Sequence, residues 1–274
     1  MAGKRCKQNH HPVMWAYTVI CALIIVLPLL VVVLWCFAES WTFPDLLPSE
    51  FGFGNYDAVL SVAPDLWDVV LYSIGLSLVV AAICVVVSLL VAHAIAYYDF
   101  KGRYAIDFLT FLPIIVPITA FGMGIHVFAL SHGFANTFWG VVLVHSIVMV
   151  PYSIKILTES LRMMGRGLSE QAWLFGASPM RAFIDVSLPP LLPTIITAFS
   201  LCFIGSFGQY FLTLIIGGGK VTTLALVMFP WVNGANRGLA AMFAVIYALL
   251  SLGLFMIFDA IGSALAKNRK TYLM

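Results

Sequence analysis

What most constrains this chain is a succession of six apolar runs, each about twenty residues or longer and almost free of charge. A helix needs about 20 apolar residues to cross roughly 30 Å of hydrocarbon. The runs extend approximately from Val13 to Phe37, Val69 to Tyr98, Tyr104 to Leu130, Thr137 to Ile156, Leu191 to Ile216 and Leu239 to Leu265. Lipid offers backbone N–H and C=O groups no partner, so each run must satisfy its own hydrogen bonds as a helix. The expected fold is therefore all-α: a polytopic membrane helix bundle of six transmembrane helices. Composition agrees, since 62% of the residues are hydrophobic and 9% charged, against about a quarter charged in soluble domains.

Charge sets the expected orientation, because short loops rich in Lys and Arg stay on the cytoplasmic side. With both termini inside, Lys4, Arg5, Lys7, Lys101, Arg103, Lys155, Arg162, Arg166, Arg181, Lys267, Arg269 and Lys270 are cytoplasmic, and Lys220 and Arg237 are external. The first external loop, Glu39 to Asp68, carries six acidic residues and no basic one. The first apolar run is too long for a cleavable signal, whose apolar core is about 7 to 15 residues, so it is expected to remain as the first membrane helix. The net charge of +2 reports insertion, and no nucleic-acid-binding module or nucleic-acid partner is expected. Cys6, Cys21, Cys36, Cys84 and Cys202 show no C-x-x-C pairing, which argues against a disulfide framework or a zinc site.

One stretch departs from the membrane pattern. Glu170 to Pro189, EQAWLFGASPMRAFIDVSLP, is a polar island with its own start and stop signals. Gly176 can end one short helix in the left-handed conformation, and Ser178 with Pro179 can open a second as N-cap and first helical residue. Pro189 and Pro190 then permit a fresh helix start. Two short helices meeting at a sharp corner would form a lever that carries motion from a soluble partner into the bundle.

The island resembles the cytoplasmic loop of the permease subunits of type I binding-protein-dependent ABC importers. That signature reads E-A-A, three residues, G, nine residues, I-x-L-P. Here Glu170, Gln171 and Ala172 are followed after three residues by Gly176, and after nine more by Val186, Ser187, Leu188 and Pro189. The departures are Gln171 for Ala, Val186 for Ile, and Phe175 where an acidic residue commonly precedes the glycine. Leu71 to Arg103 resembles the family's second core helix, and Pro113 and Pro117 resemble the paired prolines at the start of its third core span. The resemblance covers about residues 70 to 265 and implies three parts: residues 1–68, with the N-terminal tail, first helix and acidic external loop; 69–265, the permease core; and 266–274, a basic cytoplasmic tail.

The resemblance further implies that the chain is half of a transmembrane pathway in a bacterial cytoplasmic membrane. Its expected partners are two ATP-binding subunits, a second permease, identical or homologous, an extracellular or periplasmic solute-binding protein, and the lipid bilayer. The chain itself would not be an enzyme, and ATP and Mg would be used by the partner ATPase. The single phosphate-loop look-alike, GGGK at Gly217 to Lys220, fails: Leu214 stands where the first glycine is required and Val221 where Ser or Thr is required. The bland reading of GGGK is a flexible turn.

Coupling to the ATPase is expected within residues 159–189, through Glu170, Gln171, Ala172, Gly176, Ala177, Pro179 and Arg181, with Arg162 and Arg166 offering further ionic contacts. Polar groups inside spans commonly line a pathway, which singles out Ser206, Gln209 and Tyr210, with Gly205 and Gly208 allowing close backbone approach. The competing reading for these residues is helix packing. His126 and His145 could each be hydrogen-bonded to a neighbouring helix. In the polyamine-type branch the positions matching Gly208 and Gln209 often carry two acidic residues. Both are uncharged here, which favours thiamine-like, organophosphonate or ferric-type cargo over polyamine. A self-sufficient secondary transporter is the alternative, but it would require a midplane ionisable site, and no acidic residue is clearly at a span centre.

Overall fold

The computed structural model describes residues 12–42 and 44–270. The basic cluster of Lys4, Arg5 and Lys7, with Cys6, lies outside the described residues. In chain order the elements are α1 (Pro12–Phe37), β1 (Ala38–Ser40), β2 (Glu50–Phe51), α2 (Gly54–Val62), α3 (Leu66–Tyr97), α4 (Arg103–Leu109), α5 (Leu112–Ile115), α6 (Ile118–Ser131), α7 (Phe138–Met164), α8 (Gly167–Leu174), α9 (Pro179–Arg181), a π-helical turn (Ala182–Ser187), α10 (Leu188–Phe207), α11 (Phe211–Gly217), α12 (Leu224–Val232) and α13 (Arg237–Lys270). The protein is thus an all-α polytopic bundle. Among the described residues the strands are one short antiparallel pair, Ala38 opposite Phe51 and Ser40 opposite Glu50.

Among the described residues, five helical stretches are long and apolar enough to cross a membrane: Met14–Phe37, Leu66–Tyr97, Phe138–Met164, Pro179–Phe207 and Arg237–Ala264. The third apolar run behaves differently. Instead of one continuous helix from Tyr104 to Leu130 it forms two pieces, Arg103–Ile115 and Ile118–Ser131, bent by 103°, which make a sixth span if the pair crosses as a broken helix. The cause is local. Val116, immediately before Pro117, is extended at φ −73°, ψ 128°, and Pro117 follows at φ −55°, ψ 130°. The proline ring disfavours helix in the residue before it and supplies no N–H. On the first piece, Lys155 of α7 holds α4 by an ion pair to Asp107 at 2.9 Å, and its ammonium lies 3.7 Å from the centre of the Phe111 ring.

The chain divides into two compact units. One comprises the chain up to Pro64 together with Trp231–Ile246; the other comprises Asp65–Pro230 with the chain from Tyr247 onward. In the first, Asn55 caps the end of α1, its side-chain amide donating to the carbonyls of Cys36 at 3.1 Å and Ala38 at 2.9 Å. Helix ends leave such carbonyls without intrahelical partners, and one amide satisfies two of them here.

The second unit is built around α3, α7 and α10. Val85 and Ala92 from α3, Leu157 and Leu161 from α7, and Leu191 and Ala198 from α10 form a buried cluster. Pro151 interrupts the α7 hydrogen-bond ladder, and neighbouring side chains donate to carbonyls around it. Cys84 donates to Ser146 O, Cys202 to Met149 O and Ser88 to Val150 O. Cys21, Cys36, Cys84 and Cys202 are free thiols.

Candidate functional site

The polar island emerges as an exposed elbow between α7 and α10. Gly165 ends α7 at φ +69°, and α8 follows from Gly167. Gly176 has φ +86°, a conformation in which any side chain would be strained. The turn is closed by two backbone bonds, Gly176 N–H to Trp173 O at 2.9 Å and Ala177 N–H to Ala172 O at 3.0 Å, the pattern of a Schellman C-cap. The next helix starts where Ser178 and Pro179 indicate. Ser178 is extended and its hydroxyl accepts from Arg181 N–H, with Pro179 at the first helical position.

The second arm differs from expectation. An α-helix, α10, does begin at Leu188 with the proline pair in its first turn, but without a break before it. The arm runs on from Pro179 through the π turn into α10 as one 29-residue stretch ending at Phe207. The physical reason is the Pro189–Pro190 pair. Two successive residues without N–H would leave carbonyls unpaired and clash with the preceding α-helical turn, and the wider π turn directly before them relieves both. The elbow is therefore continuous with a span on that side. A buried bond between the Ser169 and Ser187 hydroxyls, 2.8 Å long, ties α8 to the π turn.

Glu170, Gln171, Gly176, Pro179 and Arg181 are exposed, while Ala172 and Ala177 are half-buried against the corner. Glu170 lies in the first turn of α8, where the helix dipole favours a carboxylate. Among the described residues Arg181 makes no ion pair, whereas Arg162 and Arg166 are engaged within the chain. Arg162 pairs with Glu159 at 2.8 Å, and the Arg166 guanidinium lies 5.6 Å and 5.2 Å from the ring centres of Tyr97 and Tyr98. The outermost surface is apolar: Leu174 is 87% exposed, Phe175 91% and Met180 68%. These three escaped the sequence reading, which registered Phe175 only as a departure from the signature.

The candidate pathway residues divide. Ser206 is 3% exposed and bonds to His145 Nδ1 at 2.9 Å, while Thr213 Oγ1 lies 3.1 Å from His145 Nε2 and donates to Gln209 O at 2.7 Å. His145 thus pins α7 to α10 and α11. Gln209 and Tyr210 sit at the break between those two helices, half-buried, with Tyr210 stacked on Phe229 at 3.7 Å between ring centres. The break explains why the fifth apolar run does not continue unbroken to Ile216. Gly205 and Gly208 are sites of close approach, because an added Cβ would lie 2.4 Å from Met149 Sδ and 2.6 Å from the Tyr247 hydroxyl, respectively. His126 differs from His145: its Nδ1 is buried without a hydrogen-bond partner. The GGGK run is a turn, with Gly218 at φ +51° and Gly219 at φ +78°. Among the described residues no group of three or more His, Cys, Asp or Glu side chains could hold a metal ion.

A bundle of membrane-length helices with an exposed elbow between two of them defines a polytopic integral membrane protein. Residues 85–269 match the family described as binding-protein-dependent transport system inner membrane component. The chain belongs to that family and is a permease component of such a system. It is 29% identical over 216 residues to a probable sulfate transport system permease protein of Nephroselmis olivacea, covering 73% of this chain and 75% of that one. A Salmonella typhimurium permease protein named for a 2-aminoethylphosphonate transport system is 25% identical over 245 residues, covering 88% and 91%. The fold matches a chain of a bacterial ABC transporter involved in alginate import, with a TM-score of 0.70, 14% identity and coverage of 95% and 99%.

Proposed function

We propose that this chain forms half of the translocation pathway of an ATP-driven importer and couples to an ATP-binding subunit through the elbow at residues 159–189. The observation that carries the reading is the elbow itself: an apolar tip at Leu174, Phe175 and Met180, held rigid by the C-cap at Gly176 and continuous with a span through the π turn. Burying such side chains stabilises a complex by about 1.5–3 kcal/mol each. Glu170, Gln171, Ala172, Gly176, Ala177, Pro179 and Arg181 shape the docking face. Two ATP-binding subunits, a second permease and a solute-binding protein complete the complex, which uses ATP and Mg in the partner. With both termini cytoplasmic in a bacterial inner membrane, the elbow faces the compartment that holds ATP.

For the solute we propose a small oxyanion, such as sulfate or an organophosphonate. The names of two relatives support this class, and the uncharged Gly208 and Gln209 give a dication such as a polyamine no electrostatic advantage. Gln209 and Tyr210, at the break between α10 and α11, are the candidate solute contacts, whereas Ser206 acts through His145 in packing. The test is purification of the tagged chain in mild detergent, with mass spectrometry of what accompanies it, ATPase assay, and uptake of sulfate, 2-aminoethylphosphonate, thiamine and putrescine by reconstituted vesicles. Co-purification of an ATPase and a second permease, with ATP-dependent uptake of an oxyanion, is expected. Uptake by the isolated chain without ATP would replace the reading with a secondary transporter.

A further inference from the structure

The elbow is covalently joined to two spans, α7 through Gly165 and α10 through the π turn, but its noncovalent contacts reach a third. At the end of α3, the Tyr97 hydroxyl lies 3.2 Å from Leu161 O and 3.1 Å from Gly165 O. Leu161 O already accepts from Gly165 N–H at 3.1 Å, whereas Gly165 is the C-cap of α7, at the end of the helix where carbonyls lack intrahelical partners. Arg166, the residue from which α8 starts, sets its guanidinium near the rings of Tyr97 and Tyr98. His93, one helical turn earlier on α3, presents edges to Tyr97 at 5.1 Å, to Tyr98 at 5.8 Å and to Phe183 of the π turn at 5.3 Å. The same aromatic group therefore touches the start of one arm of the elbow and the root of the other. A small crevice lined by His93, Tyr97, Arg166, Trp173 and Phe183 lies within it.

We propose that Tyr97 and Arg166 are positioning residues that latch the elbow to α3, so that a displacement of the elbow moves three spans together. The inference rests on reading the elbow as the ATPase docking surface. The single phenol O–H, shared between two carbonyls, fixes the distance between α3 and α7. The cation–π contact of the Arg166 guanidinium with the same phenol ring constrains the angle at which α8 leaves. Neither contact touches the exposed face at Phe175, so the latch transmits and does not dock.

The test uses the complete complex with its ATPase subunits, in nanodiscs, and needs only MgATP and vanadate as ligands. Hydrogen exchange over residues 66–97 is measured without nucleotide and after vanadate trapping, in the parent and in Tyr97→Phe and Arg166→Lys. Both variants are expected to keep the ATPase subunits and to leave nucleotide-free exchange within about twofold of the parent. The vanadate-induced change in α3 should fall by at least about fivefold, the low end of a coupling free energy. An undiminished change in both variants overturns the latch, as does faster nucleotide-free exchange in α3 with an undiminished response, which marks a purely structural contact. Arg166→Lys, which keeps its charge, carries the test if Tyr97→Phe does not assemble. Gly176→Trp is measured alongside: retention of ATPase and response there removes the docking reading and the inference with it, a result separable from failure of the latch alone.

Discussion

At Gly176 the backbone is left-handed, and an L side chain there costs roughly 1–2 kcal/mol. Gly176→Val should therefore open the corner. Insertion and expression are expected to persist, because the residue is exposed and remote from the α3, α7 and α10 core, while ATPase co-purification is lost. Phe175→Ser separates docking from folding. With 91% of its surface exposed, its loss should leave the melting temperature of the detergent-solubilised chain unchanged but weaken ATPase binding by about tenfold, equivalent to about 1.4 kcal/mol. His145→Ala should do the opposite. It strands the buried Ser206 hydroxyl, worth about 1–3 kcal/mol when left unpaired, while Thr213 keeps its bond to Gln209 O, so the melting temperature falls while the elbow is untouched. Gly176, Ser178 and Pro179 were legible in the sequence because their conformations follow from their own covalent structure. Tyr97 and His93 were not, since what they do depends on residues far along the chain, the Gly165 carbonyl, 68 positions away, that Tyr97 reaches and the Phe183 ring that His93 meets. Their one visible sign was an aromatic pair at the end of an apolar run, where such residues ordinarily mark the membrane interface.

Among the elements, apolar length located the helices well and failed where proline intervened. Pro117 is the clearest case. The run from Tyr104 to Leu130 is long enough for a span, yet Val116 is forced out of helix and the two pieces bend by 103°. Pro117→Ala should straighten them unless the Lys155–Asp107 pair holds the bend by itself. Spin labels at positions 104 and 131 would report a separation growing from about 25 Å toward about 40 Å, and an unchanged distance would assign the bend to packing against α7. Pro151, by contrast, lies inside a continuous α7, where Cys84, Cys202 and Ser88 of neighbouring helices donate to carbonyls of the adjoining turns. A sequence shows both prolines alike. Whether a neighbouring helix supplies donors is a tertiary fact.

For the whole molecule, the distribution of twelve basic residues against two predicts the orientation. A membrane-impermeant maleimide should label cysteines placed at Lys220 and Arg237 from outside intact cells, and one placed at Arg181 only after lysis; the reverse pattern would turn the elbow away from ATP. The six apolar runs made the fold class legible, and the spacing from Glu170 to Pro189 made the elbow legible, because both are periodic or local signals. The join between elbow and span was hidden, since a π turn has no distinctive composition. That join has a consequence for phase. A π turn accommodates about one residue more than an α turn over the same rise, and one residue is worth about 100° of rotation about a helix axis. The six residues Ala182–Ser187 therefore set the azimuth of every α10 side chain relative to the elbow. Removing a single residue there would leave both arms helical and the apolar length adequate, yet swing Phe203 and Ser206 about a quarter-turn out of the core and uncouple them from His145.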